Sequence, residues 1–463
     1  MHEPPNTRTA GVIRSLVFVS VLFLVAVSAA SCGDEASDST AATPVPESSP
    51  ATDAGPADTV ATPSETLPPG TQVATSTVPT PEAEAVATST TGTIDTSSGT
   101  TPAGIDPTDQ LDPLVRQVTA SWPTDWGTSS IDLRELLLGI QMIDPRDAIP
   151  PIDNPVFESV SAASEWLDDR VPGVLVLLGG ETRFYPLGIL HRHEIVNDEI
   201  GGVPVAVTYC PLCNTALTFD RRVDGEVIRL GVSGLLRLSD LVMWDDRTVS
   251  LWQQVTGEAI VGAATGAVLA PLPTAIVSFG DFAASYPDGV SLARESGAGI
   301  PYVSNPYVGY SSRQVPYPFY TGEIDPRYRA LDRVVGVTEG GAATAYPFPL
   351  ISALGAVNDT VGGVPVAVFW GGDTADALDT RQVSEGRVVG TGIAYLRTVD
   401  SRELSFTKEG DLFRDRETSS EWTLLGEAIS GPLVGSRLQV AVHRNEFWFV
   451  WGAFFPDGHV WEG

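Results

Sequence analysis

Cysteine is nearly absent from this 463-residue chain, which has only Cys32, Cys210 and Cys213. A multi-bridge disulfide framework is thereby excluded. Histidine is almost as scarce, at five residues, and two of them, His191 and His193, lie shortly before the cysteine pair. Between Arg14 and Arg116 there is no Lys or Arg, although Asp and Glu recur there. The net charge of -31 and pI near 4.3 argue against a nucleic-acid partner, because phosphate binding needs clustered basic residues. Much of the acidity belongs to the N-terminal stretch and so says little about a substrate. Also missing are a P-loop, a G-x-S-x-G elbow, an H-E-x-x-H motif and a dinucleotide fingerprint. No nucleotide cofactor is expected.

What is present begins with an export signal over residues 1–31. Arg8 and Arg14 precede an apolar run, Leu16 to Val27, too short to favour a spanning helix. Ala29-Ala30-Ser31 leads into Cys32 in the manner of a bacterial lipobox, although Leu is commoner where Ala29 stands. Cys32 is therefore expected to carry lipid and to anchor the protein on the extracytoplasmic face of the cell membrane. Ordinary secretion with cleavage near Ser31 is the alternative. Residues 32–109 are Thr, Ser, Pro, Ala and acid, and bury too little apolar surface to order themselves. They read as a disordered tether.

From residue 110 the composition becomes globular, with an entry segment over 110–173. Ile131–Leu138 and Ser161–Asp169 read as short helices, and Ile149–Pro155 as an extended, proline-rich loop. From Val174 onward, short apolar runs alternate with Gly, Pro and Asp-Gly, the pattern of a β-rich α+β domain. An internal repeat organises it. Tyr185-Pro186 returns as Tyr346-Pro347, Asn197-Asp198 as Asn358-Asp359, and Gly201 to Val207 as Gly362 to Val368, all at one offset. Arg237 and Asp240 match Arg397 and Asp400 at almost the same offset. The repeat predicts two lobes, 174–289 and 334–463, related by a pseudo-twofold axis and joined by a Tyr/Pro/Gly-rich linker, 290–333. Residues kept in both lobes are expected to serve the fold, with Arg237 and Asp240 as a structural ion pair. At the repeat offset Cys210 falls on Gly371, Cys213 on Thr374, His191 on Ser352, His193 on Leu354 and Glu194 on Gly355. One lobe is expected to carry chemistry and the other to be scaffold.

The chemistry centres on Cys210-Pro-Leu-Cys213. An apolar run, Val203 to Tyr209, precedes the pair, and Thr215-Ala-Leu-Thr-Phe219 alternates at period two after it. A strand, a Cys-x-x-Cys turn and a second strand make a knuckle that can point two thiolates at one metal ion. A redox pair at a helix N-terminus would read differently. If His191-Arg-His193-Glu194 is extended, His191 and His193 share a face, and a turn at Gly201-Gly202 would bring imidazole near sulfur. Met243 could add a thioether and favour copper; otherwise it is core. The candidate metal ligands are thus Cys210, Cys213, His193, His191, Glu194 and Met243, with copper or zinc as the ion. Thiol–disulfide exchange by Cys210 and Cys213, and a binding module with a structural disulfide, are the competing readings.

The blocks Ile152-Asp-Asn-Pro155, Tyr185-Pro-Leu187, His193-Glu-Ile-Val-Asn-Asp198, Gly202 to Asn214, Gly231 to Arg237, Ser239 to Met243 and Ser250 to Gln254 resemble the bacterial and archaeal domain-of-unknown-function family 3179. The resemblance spans essentially the whole globular part, and its Tyr-Cys-Pro-Leu-Cys-Asn block is the most specific. It implies that His193, Glu194, Cys210 and Cys213 belong to the family pattern. Where His191 stands the family commonly has Asn. No reaction follows from the resemblance.

Overall fold

Runs of β-branched residues between paired glycines form antiparallel hairpins, as their pattern predicts. A computed structural model describes residues 106–297, 299, 302 and 304–463. The signal segment, Cys32 and the tether to residue 105 lie outside the described residues. Among those described, the chain is β-rich with short helices, and no helix is long and apolar enough to cross a membrane.

Strand Pro172–Leu178 pairs with Glu181–Pro186, the helix Leu187–His193 follows, and Ile195–Ile200 then pairs with Val203–Cys210. The strand Thr215–Asp220 continues that sheet, and the hairpin Leu230–Arg237/Asp240–Asp245 starts another. The same order of elements runs from Arg333–Glu339 to His459–Val460. The shared residues do the same work in both runs. The Tyr185 hydroxyl donates to Asp198 (2.6 Å) and that of Tyr346 to Asp359 (2.8 Å). The Asn197 amide clamps the Leu230 backbone, accepting from its N–H and donating to its carbonyl, and Asn358 clamps Phe406 likewise. Gly179 and Gly201 have positive φ, and a Cβ on either would lie 2.7 Å from the other's Cα. Only glycine fits there.

Three expectations change. Ile131–Leu138 forms one 3-10 turn, Leu133–Glu135, and then a strand, Leu136–Leu138, paired with Leu235–Arg237. A single turn cannot nucleate a helix against an available sheet edge. The helix expected over Ser161–Asp169 is shorter and starts earlier, at Val160–Ala163, capped by Ser159. Arg397 corresponds in its bonding to Arg221, not to Arg237. Arg397 donates to the Asp359 and Leu404 carbonyls, and Arg221 to those of Asp198 and Ile228. Asp400, with φ 48°, occupies a hairpin tip like that of Asp224, with φ 52°. Identity at matching spacing had paired residues with different jobs.

The main apolar core gathers Val174, Val207, Tyr209, Met243 and Trp252 with Phe447 and Phe449, so both runs of elements contribute to it. The cysteine turn is set into this core.

Candidate functional site

Cys210 ends its strand opposite Thr215, and the Cys213 N–H closes the turn on the Cys210 carbonyl at 3.2 Å. The turn leads into the strand Thr215–Asp220 and not into a helix, as the knuckle reading expects. Both thiols are buried and unbridged. They donate to one acceptor, the Ser239 carbonyl, at 3.9 Å from Cys210 and 3.6 Å from Cys213.

That carbonyl arrives on the tip of the Leu230–Asp245 hairpin. Leu238 and Ser239 both have positive φ, 50° and 69°. This two-residue turn is one that Asn-Gly or Asp-Gly would form without strain. It carries Asp240, fully buried, over the sulfurs. Cys210, Cys213 and Asp240 each offer a ligand atom, and these atoms lie within 4.8 Å of one another. Gln253 Nε2 donates to Asp240 Oδ2 at 2.6 Å and the Val255 N–H at 3.0 Å, while Oδ1 has no partner among the described residues.

Asp240 was expected to pair with Arg237. Instead Arg237 bonds Glu135 at 2.7 Å and the Gln253 side-chain oxygen at 3.2 Å. Gln253 thus stands between the two, and the carboxylate is turned toward sulfur. The matching hairpin, Phe406–Glu409/Leu412–Asp415, is shorter and does not extend this far.

The histidines are not where an extended strand would put them. His191 and His193 lie on the helix Leu187–His193, so they point in different directions. His193 is held at both nitrogens, Nδ1 on the Pro150 carbonyl (2.6 Å) and Nε2 on the Tyr302 hydroxyl (2.7 Å). His191 is buried between Tyr209 and Tyr307, with both nitrogens unpartnered among the described residues. Neither joins the cysteine–aspartate group. Met243 packs in the main core, opposite Val232 and Trp252 in its sheet.

Glu194 caps the helix with φ 56°, where the second run has Gly355 at φ 77°. A left-handed glutamate costs backbone strain that glycine avoids. Its side chain is buried near the site, and burial pushes its pKa up to about 8; Asp240 adds to the rise and a Tyr307 hydrogen bond offsets part. Burial likewise lifts Glu446 to about 7, offset by Arg444 and reinforced by Asp240. Burial also raises both thiols and Asp240. Burial thus favours the protonated form of each of these groups, and a cation bound among them would favour the anionic forms by displacing protons.

The family model described as "Protein of unknown function (DUF3179)" matches residues 146–458. The chain belongs to this family. No curated protein and no solved structure matches it. The DUF3179 match covers the cysteine turn and the hairpin bearing Asp240, as well as the second run of elements.

These pKa shifts predict a stability profile for the metal-free protein. Glu194 keeps its proton in the folded state up to about pH 8, whereas unfolded Glu loses it near 4.3. The stability from its protonated form is complete below about pH 4.3 and falls as pH rises, at most by about 1.4 kcal/mol per unit. His191 and His443 are depressed by burial to about 3 and about 4. The stability from their neutral forms is present above pH ~6.5 and is lost as pH falls. From these three groups stability should peak near pH ~6.5 and decline on both sides. Urea midpoints of Glu194→Gln should flatten the alkaline limb between about pH 6.5 and 8. Parallel profiles for wild type and variant would remove Glu194 as the cause.

Proposed function

We propose that this is an extracytoplasmic metal-binding protein in which Cys210, Cys213 and Asp240 hold one transition-metal ion, zinc or copper. The observation that carries the reading is the buried Asp240 carboxylate, one oxygen unpartnered, grouped with two free thiols. Ligand atoms ~2.0–2.3 Å from a tetrahedral metal stand about 3.3–3.8 Å apart. A group already within 4.8 Å needs little adjustment to reach that spacing. The mixed S/S/O set favours zinc, because a hard carboxylate adds nothing to soft Cu(I) binding. Glu194, whose charge acts on both Asp240 and Cys210, is a candidate for a fourth position. The cleft beside Arg333 and Arg387 is lined by neither cysteine nor Asp240. A closed centre supports metal holding or handling over turnover of a bulky substrate.

Cys32 carries lipid and residues 32–109 tether the domain to the membrane; the mass of the mature N-terminus tests this. The two runs of elements descend from one duplicated lobe and are related by a pseudo-twofold axis, a reading supported by the shared clamps of Asn197 and Asn358.

The deciding experiment is metal content by plasma mass spectrometry, with a thiol count, on untagged protein. Near-stoichiometric zinc or copper, lost in Cys210→Ser, is expected. Thiol–disulfide exchange is the second reading, because the two thiols are within hydrogen-bonding reach of each other. Their raised pKa values work against it, since the thiolate is the nucleophile. No metal after reconstitution, with both thiols oxidised, would favour exchange or a structural disulfide instead.

A further inference from the structure

In the first run the strand Val203–Cys210 reaches its neighbour through the short turn Pro211–Asn214. In the second, Val364–Gly371 reaches Thr391–Leu396 only after the long excursion Gly372–Gly390. That excursion does not merely replace the cysteine turn with scaffold. With the segment around Ser311 and the strand beginning at Arg333, it walls a cleft of about 320 Å³ whose lining includes Ser311, Ser312, Arg329, Arg333, Trp370 and Arg387.

The cleft contains more donors than the fold consumes. Arg333 and Arg387 share one fully buried carboxylate, Asp376, at 2.7 Å each. Asp376 is also bonded by the Ser311 hydroxyl and the Leu378 N–H, and these partners hold its pKa below the usual carboxylate value despite burial. Its acceptor capacity is taken up. Arg333, with a side chain only 9% exposed, has Asp376 as its one hydrogen-bond partner among the described residues. A guanidinium has five N–H donors. Arg387 reaches both serine hydroxyls, 3.1 Å to Ser311 and 2.7 Å to Ser312, and the more distant Asp379 at 3.7 Å. Arg329, on the rim, is paired with Asp332. Trp370 Nε1 is a buried donor with no acceptor among the described residues. Asp376, Asp379 and Asp332 balance the charge of Arg333, Arg387 and Arg329, but Arg333 keeps guanidinium N–H donors that no group among the described residues accepts.

We propose that this cleft binds a small oxyanion, a carboxylate or phosphate group, held by Arg333, Arg387, Arg329, the Ser312 hydroxyl and the Trp370 indole N–H. Planar guanidiniums suit such groups because they donate in a fixed fork. In a chain of net charge -31, a recess lined by guanidinium donors selects anions locally that the surface repels at a distance. The proposal is independent of the metal reading.

The test titrates the full-length protein with inorganic phosphate and, separately, with succinate, at constant ionic strength set with sodium chloride. Binding is read by tryptophan fluorescence and by thermal shift. A saturable response to one or both probes is expected, and the probe that binds more tightly identifies the ligand class. Arg387→Gln should weaken binding about tenfold or more, and Arg329→Gln and Ser312→Ala each several-fold. Trp370→Phe should weaken it while leaving the melting temperature without ligand little changed. Arg329 and Ser312 do not bond Asp376, so their variants decide the matter if Arg387→Gln fails to fold. A response no different from that to sodium chloride, or equal affinity in wild type and Arg329→Gln and Ser312→Ala, would overturn the proposal.

Discussion

Asp240→Asn is expected to lower metal affinity about 100-fold or more while leaving the fold intact. The amide has the carboxylate's shape and its oxygen can still accept from Gln253 and the Val255 N–H, so the hairpin tip keeps its seat. What it loses is the anionic oxygen aimed at the two thiols. Because burial raises both thiols, metal binding near pH 7 should release protons from wild type. Competition against a chromophoric chelator, with proton release followed in weak buffer, measures both quantities. Metal affinity rises with pH, since protons compete for every ligand. If Asp240→Asn binds zinc as tightly as wild type, the carboxylate is a hydrogen-bond anchor and the metal, if any, rests on sulfur alone. The orphaned oxygen would then need another explanation.

A second large effect is expected at Asp245, at the far end of the same strand. Its buried carboxylate accepts from the Arg247 N–H (3.0 Å), the Thr248 N–H (2.6 Å) and hydroxyl, the Ser250 N–H (3.1 Å) and Trp252 Nε1 (2.9 Å). Asp415 does the same for Thr418, Ser420 and Trp422 in the second run. Asp245→Ala strands several donors, the Ser250 N–H and the Trp252 indole among them fully buried, and should cost about 3–5 kcal/mol of unfolding free energy by urea titration. The variant should also weaken metal binding, because the Asp245 knot ties the Asp240-bearing strand to Leu251–Gln253. A stability loss below about 1 kcal/mol would mean that water replaces the carboxylate. Comparison with Asp415→Ala separates the two effects, since that residue supports a hairpin that does not reach the cysteines.

The candidate site was legible in part. Cys210 and Cys213 could be read because a strand, a two-residue spacer and a second strand are local features. The helical placement of His191 and His193 could not, because His-Arg-His-Glu fits period two as well as one helical turn. Burial of Leu187, Ile189 and Leu190 on several sides decided for the helix. Asp240 was visible as a residue but assigned to Arg237 through a coincidence of spacing. Its true partners, Gln253 and the thiols, come from elements far along the chain. The Leu238-Ser239 turn carries no glycine to announce a left-handed backbone, so the approach of the Ser239 carbonyl to sulfur left no local signal.

By itself, the sequence determined that the protein is β-rich, that one internal pattern recurs, that two thiols share a turn, and that the chain belongs with the DUF3179 family. These follow from period, composition and short-range spacing, which act between neighbours along the chain. The tertiary structure alone decided which carboxylate meets the thiols, which arginines share a buried acid, and that the two histidines serve packing and hydrogen bonding outside the cysteine–aspartate group. Those outcomes depend on which strands become neighbours and on what burial does to each charge, and neither is set by residues adjacent in sequence.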